Sequence, residues 1–180
     1  MDQPAIVIRP AALGDLAAIT EIYAEAVRTG TASFEIEPPA REEMERRMAA
    51  LVDNGFPYLV AERGETVLGY AYAGPYRPRP AYRFTVENSV YVSREARRLG
   101  LGSALLAALI DDATARGFRQ MVAVIGDSGN EASVGIHASH GFRHVGTFEN
   151  VGRKHGRWLD TVLMQLTLGD GAEAPPLDEA

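Results

Sequence analysis

Apolar residues recur along the chain at two different spacings, which predict where the helices and strands lie. A spacing of three and four residues follows Asp15, a good N-cap residue, and ends at Gly30. The same period marks a second segment that carries Met44, Met48 and Leu51 and stops at Gly55. Two further helices are predicted over Leu101–Ala115 and Glu131–His140, each followed by a glycine.

Alternating or β-branched runs between these segments predict seven strands. The runs are Ile6–Ile8, Tyr58–Ala61, Thr66–Tyr72, Phe84–Val92, Met121–Ile125, Val145–Phe148 and Trp158–Leu168. The second and third flank the turn Glu62–Glu65 and form a hairpin, while the prolines between Gly74 and Ala81 predict a loop. This order of elements is typical of an α/β fold with a mixed sheet and helices on both faces. The helix between residues 86–92 and 121–125 makes those two strands parallel neighbours.

Length and charge indicate one domain followed by a short acidic tail. The 180 residues are enough for one core, and we assign them to a single domain over residues 1–168. The tail, residues 169–180, contains four acidic residues, no basic ones and several glycines and prolines, so we expect it to be disordered. The tail accounts for four of the six net negative charges, and the remaining −2 leaves no basic stripe for nucleic acid.

The absence of cysteine narrows the possible chemistry. A chain with no cysteine has no disulfide, no thiolate metal site and no cysteine nucleophile. The first ten residues lack the pattern of a secretion signal, and no segment is long and apolar enough to span a bilayer. We therefore expect a cytoplasmic protein without a membrane partner.

The segment Arg97–Ser103 has the composition of an anion site. It reads Arg-Arg-Leu-Gly-Leu-Gly-Ser, follows the strand Val90–Val92 and opens a helix. Glycines let the backbone approach a ligand, and the first turn of a helix presents free N–H groups at its positive end. A phosphate or pyrophosphate fits this arrangement, although the glycines could serve only the turn. The nucleoside triphosphate loop and the dinucleotide fingerprint are both absent, since their spacings do not occur here.

Glu87 is an acidic residue inside an otherwise apolar strand, just before this turn. A carboxylate in that position would be partly desolvated, and desolvation raises its pKa towards a value useful for a general base. An outward-facing carboxylate paired with an arginine accounts for the residue equally well. The strand pattern alone leaves both interpretations open.

Several segments together resemble a known family. Arg97-x-x-Gly100-x-Gly102 matches the glycine motif of the GNAT N-acetyltransferase superfamily, and the resemblance extends over residues 5–168. It is stronger to the phosphinothricin and methionine sulfoximine N-acetyltransferases. The supporting segments are residues 31–35, 82–92, 98–103, 123–126, 133–137 and 154–160. The resemblance implies the GNAT fold, a mixed and mostly antiparallel central sheet with helices on both faces.

The resemblance also implies acetyl-CoA as co-substrate and a set of residues that bind it. In the superfamily the glycine turn holds the pyrophosphate of coenzyme A, and the preceding strand contacts the pantetheine arm through its backbone. The positions that carry these roles are Val90, Tyr91, Val92, Arg97, Arg98, Leu99, Gly100, Leu101, Gly102, Ser103 and Asn130. The N–H of Val90 or Tyr91 is expected to polarise the thioester carbonyl. Asn130 is also an ordinary helix N-cap, and the two roles are compatible.

Transfer of an acetyl group to an amine requires a base and a donor for the oxyanion, and no covalent enzyme intermediate. The family's catalytic glutamate falls on Glu87. His137 is implied as a second catalytic residue, a proton acceptor or substrate ligand, while a packing role accounts for it from the sequence alone. His137 and His140 lack a third ligand, so no metal is expected.

The resemblance places an amino-acid substrate among aromatic and basic residues. The positions are Phe34, Tyr76, Arg77, Arg79, Tyr82 and Ser89. Arginine side chains suit carboxylate, phosphinate or sulfonyl oxygens, although exposed arginines in a loop are commonly only solvated. Arg83 departs from an acidic residue of some relatives, which weakens the expectation of strict phosphinothricin specificity.

Three functions follow as hypotheses. The first is acetylation of the α-amine of a small amino acid such as phosphinothricin, methionine sulfoximine or methionine sulfone, by a homodimer. The second keeps acetyl transfer but uses a protein N-terminus, a lysine or a polyamine as acceptor, and the arginines of residues 77–83 argue against the polyamine. The third is a non-catalytic acyl-CoA sensor, which Glu87 disfavours.

Overall fold

The computed structural model describes residues 4–176 and contains four α-helices and seven strands within them. The helices are α1 (Leu16–Thr29), α2 (Arg41–Asp53), α3 (Leu101–Ala115) and α4 (Glu131–Ser139). The strands are β1 (Ile6–Pro10), β2 (Tyr58–Arg63), β3 (Thr66–Pro75), β4 (Thr85–Val92), β5 (Gln120–Gly126), β6 (Arg143–Lys154) and β7 (Arg157–Thr167). Every predicted helix and strand is present.

All seven strands join one sheet in the order β1-β2-β3-β4-β5-β7-β6. Within residues 4–176, β4 and β5 are parallel and the other neighbouring pairs are antiparallel. This arrangement confirms the mixed, mostly antiparallel sheet and the parallel pair around the crossover helix α3. The β2–β3 hairpin is confirmed as well.

Helices cover both faces of the sheet, as predicted, and each face has its own core. On one face α3 buries Leu105, Leu106 and Leu109 against Val86 and Met121 of the sheet. On the other face α1 and α2 pack a second cluster, whose members include Ile19, Val27, Met48 and several tyrosines of the strands. The leucines of the long apolar run in α3 are buried against the sheet, whereas Ala104 is exposed.

Some local details differ from the sequence prediction. Asp15 precedes α1, but its side chain makes no capping bond to that helix. Its carboxylate instead accepts hydrogen bonds from the Arg9 guanidinium at 2.7 Å and from the Ala12 N–H at 2.8 Å. β6 begins before Val145 and continues to Lys154, because its residues pair with β7 across two irregular registers. Alternation is a weak signal across such bulges.

The described part of the acidic tail contacts the body of the domain. Residues 169–176 turn back towards the sheet, where the Arg119 guanidinium donates to the Pro175 carbonyl at 3.1 Å. The rest of the acidic tail lies outside the described residues, and its disorder stays a prediction. None of the four helices in the described range has the length and apolarity needed to cross a membrane.

Candidate active site

A cleft opens where β4 and β5 diverge. The two strands pair only over Thr85–Asn88 and Gln120–Ala123, although β4 continues to Val92. On its other edge β4 stays paired with β3, and the Ser93 N–H donates to the Leu68 carbonyl at 2.8 Å. Backbone groups of successive strand residues point to alternate edges. The N–H and C=O groups of Val90 and Val92 therefore point into the opening, while those of Tyr91 point to β3.

This opening has a volume of about 470 Å³ and extends from β4 to α4. Its walls contain seven of the predicted residues for cofactor or catalysis: Val90, Tyr91, Val92, Arg97, Gly102, Asn130 and His137. Gly102 borders it from α3. An extended, partly polar chain laid along β4 could pair with the free backbone groups of Val90 and Val92, in the manner of an added strand.

The glycine turn forms the charged end of the cleft. Gly100 adopts a left-handed conformation with φ of 76° at the N-cap of α3, and Arg98 before it has φ of 66°. The first intrahelical bond runs from the Ala104 N–H to the Gly100 carbonyl at 3.0 Å. The N–H groups of residues 101–103 thus have no acceptor within the helix and are free for an anion.

Several side chains of the turn make contacts within the protein. The Leu101 side chain is buried in the core, and Leu99 is half exposed. The Ser103 hydroxyl lies 2.8 Å from His140 Nε2 and links α3 to α4. Gly102 has no positive φ. A Cβ atom there would already touch Ile136 Cδ1 at 3.4 Å, so a larger side chain would extend into the border of the cleft.

His137 joins α4 to β4. Its Nε2 lies 3.0 Å from Asn88 Oδ1, and its Nδ1 lies 2.8 Å from the Ser133 carbonyl. Asn130 holds the start of the same helix, where its side chain accepts from the Ser133 N–H at 3.2 Å, which confirms the predicted N-cap. Burial lowers the pKa of His137, which favours the neutral ring. Asn88 was absent from the sequence prediction because a buried asparagine in a strand carries no distinctive pattern.

Glu87 lies on the opposite face of β4 from His137. Val86 belongs to the core beneath α3, and Tyr91 packs with Tyr23 and Tyr70 on the face covered by α1 and α2. Side chains alternate along a strand, so Glu87 shares the face of Tyr91. Burial raises the pKa of the Glu87 carboxyl above its ordinary value. The expected desolvation is therefore present, while the two predicted catalytic residues approach the cleft from different sides of the sheet.

Ser89 lies on the same face as Glu87 and opposite Tyr72 of β3. Burial raises the pKa of Tyr72, and a hydrogen bond with the Ser89 hydroxyl partly opposes this. Glu87 itself faces Gly74 of β3, which has no side chain. Leu51 of α2 lies over Gly74, so an apolar side chain borders Glu87 on its β3 side.

Four of the predicted substrate residues, Tyr76, Arg77, Arg79 and Tyr82, form a separate group in the loop between β3 and β4. The Tyr76 and Tyr82 rings meet edge to face at 5.7 Å, and the Arg77 guanidinium lies over Tyr76 at 5.1 Å. Arg79 is exposed at the start of the short 3₁₀ turn that contains Tyr82. The Tyr76 N–H donates to the Thr85 carbonyl at 3.3 Å, which anchors this loop at the Glu87 end of β4.

Phe34 lies in the loop between α1 and α2, and this loop packs against β5 and β6. Its ring fills the space above Gly126 and Gly152, where an added Cβ would come within 2.8 Å and 2.3 Å of it. The buried Lys154 ammonium donates to the neighbouring Ser33 carbonyl at 2.7 Å. Asp127, with φ of 72°, accepts from the Thr31 hydroxyl at 2.9 Å. Lys154 and Asp127 were missed because each is a charged residue that looks solvated in sequence.

The cleft has the features required by a long thioester with an anionic end. One end provides free helix N–H groups beside Arg97 and the middle provides an open strand edge, while Glu87 lies three residues before Val90 on β4. Within residues 4–176 no three histidine, aspartate or glutamate side chains are grouped as they would be around a metal ion.

Comparison with known proteins gives concordant matches. A family model described as acetyltransferase (GNAT) domain matches residues 8–163. The phosphinothricin N-acetyltransferase of Alcaligenes faecalis is 55% identical over 162 residues, 90% of this chain and 82% of that protein. The L-methionine sulfoximine/L-methionine sulfone acetyltransferase of Pseudomonas aeruginosa is 44% identical over 93% of this chain and 98% of its own.

A solved structure shares the fold closely. The crystal structure of a phosphinothricin acetyltransferase from Sinorhizobium meliloti, in complex with acetyl-CoA, superposes with a TM-score of 0.93. It is 46% identical and covers 96% of this chain and 94% of its own.

Proposed function

Because this chain belongs to the acetyltransferase (GNAT) family, we propose that it transfers the acetyl group of acetyl-CoA to the α-amine of a small amino acid. The observation that carries the proposal is the open edge of β4 between a free helix N-terminus and the half-buried Glu87. Phosphinothricin, methionine sulfoximine and methionine sulfone are the acceptors expected, since they are named for relatives of 44% and 55% identity.

Acetyl-CoA supplies the activated acetyl group, and the residues of this chain bind and orient it. The N–H groups at the start of α3 and the Arg97 guanidinium hold the pyrophosphate. Val90 and Val92 pair with the pantetheine arm through their backbone. The Val90 N–H points into the cleft and is the donor for the thioester oxygen as charge builds there.

Glu87 removes the proton from the acceptor amine, directly or through a water molecule. Its raised pKa brings the carboxylate closer to the proton affinity that general-base catalysis requires. The arginines at 77 and 79, exposed in the loop next to the Glu87 end of β4, are placed to bind the carboxylate or sulfonyl oxygens of the acceptor. His137 has both ring nitrogens engaged, which favours a role in holding α4 against β4.

We further propose that the enzyme is a homodimer joined through the β6–β7 hairpin. β6 is an edge strand of the sheet, and this hairpin exposes four large apolar side chains. They are Val145, Phe148, Val151 and Trp158, each at least half exposed. An apolar patch on a sheet edge is typical of a surface that another chain covers.

Thiol release from acetyl-CoA tests the proposed activity. The purified chain is given acetyl-CoA with methionine sulfone, phosphinothricin, an alanine-ended peptide or spermidine, and the acetylated products are identified by mass. We expect rapid release with the first two acceptors only. Preferential acetylation of the peptide or the polyamine would replace the amino-acid proposal, and tight acetyl-CoA binding without thiol release from any acceptor would favour a sensor.

A further inference from the structure

A second cavity lies on the face of the sheet that carries Glu87. It has a volume of about 290 Å³ and lies between α2 and strands β2 and β3. Four tyrosines line it on the side of the sheet: Tyr23, Tyr58, Tyr70 and Tyr72. Ala50 and Leu51 of α2 line the other side. We call this cavity the tyrosine pocket.

Three of the rings in the tyrosine pocket are nearly parallel. Tyr58 lies 5.9 Å from Tyr70 with an interplanar angle of 6°, and 5.2 Å from Tyr72 with an angle of 17°. Aromatic rings at these distances favour offset stacking or edge contacts with a further ring. A flat, apolar group of the size of a phenol or an indole suits such walls better than a branched aliphatic one.

The Tyr70 ring lines the tyrosine pocket, and its hydroxyl is a buried polar group. Tyr70 is completely buried, and among residues 4–176 its Oη has no hydrogen-bond partner. A buried hydroxyl without a partner is unfavourable, and one polar atom of a bound molecule would satisfy it. Burial raises the pKa of this phenol well above its ordinary value, so the hydroxyl keeps its proton and can donate.

The charges at the rim of the tyrosine pocket are already neutralised. The Arg47 guanidinium contacts Glu35 at 2.6 Å and Glu43 at 2.7 Å. Arg46 contacts the same Glu43 carboxylate at 2.8 Å. These pairs leave little free positive charge, so the pocket selects a neutral group rather than an anion.

The tyrosine pocket adjoins the proposed base. Tyr72 faces Ser89, two residues along β4 from Glu87 and on the same side of the sheet, which is about 7 Å of strand. Leu51 lies over Gly74, which faces Glu87, and an added Cβ at Gly74 would come within 3.1 Å of Leu51 Cδ2. One acceptor molecule could therefore place its amine at Glu87 and its side chain among the tyrosines.

We propose that the tyrosine pocket binds the side chain of the acceptor, and that the enzyme acetylates aromatic amino acids with one polar ring atom, such as tyrosine and tryptophan. This inference rests on the proposed acetyl transfer with Glu87 as base. It extends the acceptor class beyond the small, oxygen-rich amino acids. The phenol oxygen or indole nitrogen of the acceptor would pair with the Tyr70 hydroxyl.

Steady-state kinetics with matched variants test the pocket. The substitution Ala50→Trp fills it from the exposed surface of α2, and Ala49→Trp adds the same ring on the neighbouring exposed residue that does not line it. We expect wild type to prefer L-tyrosine to L-alanine by about tenfold or more in kcat/KM, since ring burial is strongly favourable. Ala50→Trp should remove this preference, whereas the Ala49→Trp enzyme should keep it and stay within about twofold of wild type with both amino acids.

A third variant tests the hydroxyl. Tyr70→Phe should lower the ratio of kcat/KM for L-tyrosine over L-phenylalanine by about fivefold, as expected for one lost hydrogen bond. Equal use of tyrosine and alanine by wild type, or an Ala50→Trp enzyme that keeps the preference, would overturn the proposal.

A binding measurement distinguishes failure of the proposed acetyl transfer from failure of the proposed pocket. If no acceptor releases thiol, calorimetric titration of L-tyrosine into the protein saturated with coenzyme A measures whether the tyrosine pocket binds the amino acid. Binding that is lost in Ala50→Trp and kept in Ala49→Trp would support the pocket without the reaction. Absence of binding to wild type would overturn it.

Discussion

Nε2 of His137 lies 3.0 Å from Oδ1 of Asn88, and this contact joins α4 to β4 along the wall of the cleft. The amide orientation is fixed from the other side, because Asn88 Nδ2 donates to the Val122 carbonyl at 3.2 Å. Asn88 Oδ1 is therefore an acceptor, and it accepts from Nε2 when that nitrogen carries the proton of the neutral ring. The Ser133 carbonyl, 2.8 Å from Nδ1, competes for the same proton in the neutral ring. His137 is thus occupied on both sides by acceptors.

Removal of the imidazole should affect stability more than chemistry. We expect His137→Ala to lower the free energy of unfolding by about 1–3 kcal/mol, because Asn88 Oδ1 loses its buried donor. The turnover number should stay within about tenfold of wild type, less than the loss of a general base would cause. Urea unfolding and steady-state kinetics check both values. The exposed His144→Ala serves as control, and a turnover reduced about a thousandfold with unchanged stability would assign proton transfer to His137.

A side chain at Gly102 should block the cofactor. The substitution Gly102→Val places two methyl groups between Ile136 and Val92, at the border of the cleft. We expect affinity for coenzyme A, measured by calorimetry, to fall at least about tenfold, the equivalent of 1.4 kcal/mol. Gly135→Ala in α4 is the control, since a Cβ there meets no atom within 4 Å. Unchanged affinity of Gly102→Val would remove the turn from the binding site.

Gly100 should be required for its conformation rather than for space. Its φ is +76°, and no atom lies within 4 Å of an added Cβ. We therefore expect Gly100→Ala to destabilise the fold by about 1–2 kcal/mol, the cost of the left-handed region for a residue with a side chain. Gly100→Asn should cost less, because asparagine tolerates that region. Urea unfolding measures the stabilities of both variants. Equal stabilities of Gly100→Ala and Gly100→Asn would contradict the conformational role of Gly100.

The fold could be predicted from the sequence because its main signals are local. The bounds of α3 are those predicted, since an apolar run begins after Gly100 and ends before Gly117. The parallel pairing of β4 and β5 followed from the crossover helix alone. Asp15 shows the limit of the helix-cap rule, because Arg9 of β1, six residues earlier, competes for the carboxylate that would have capped α1.

The site could be predicted only in its linear parts. The glycine turn, Glu87 and Asn130 lie on continuous segments with recognisable patterns. The separation of Glu87 and His137 across β4, the tyrosine pocket and the Asn88 contact depend on which strand faces which helix. Such relationships form between residues far apart in the chain, and no local pattern records them.

The apolar hairpin should determine the oligomeric state. Phe148 is 57% exposed on β6, so Phe148→Glu adds a charge to the proposed interface without disturbing a core. We expect sedimentation velocity to show a dimer for wild type and a monomer for Phe148→Glu. Val7→Glu makes the same change at a residue 50% exposed on β1, the opposite edge of the sheet, and should stay dimeric. A monomeric wild type would exclude the proposed assembly.

Replacement of Glu87 should not lower the free energy of unfolding. A loss of activity in such a variant would therefore reflect the chemistry of Glu87 rather than loss of the fold. Burial raises the pKa of this carboxyl, so the folded protein holds its proton more tightly than the unfolded chain. Stability contributed by the neutral acid is present below the ordinary pKa of 4.5 and is lost as pH rises through the folded value. Glu87→Gln avoids this loss and should be at least as stable as wild type at pH 7 by urea unfolding.

The pH dependence of kcat/KM for methionine sulfone, measured for wild type and Glu87→Gln, tests the account most directly. For wild type we expect activity to rise with pH through one ionisation above 4.5, as the Glu87 carboxyl loses its proton. Glu87→Gln should retain acetyl-CoA binding, lose about 10²–10⁴-fold in kcat/KM at neutral pH and lack that ionisation. A Glu87→Gln enzyme with full turnover at neutral pH would contradict the assignment of Glu87 as the base.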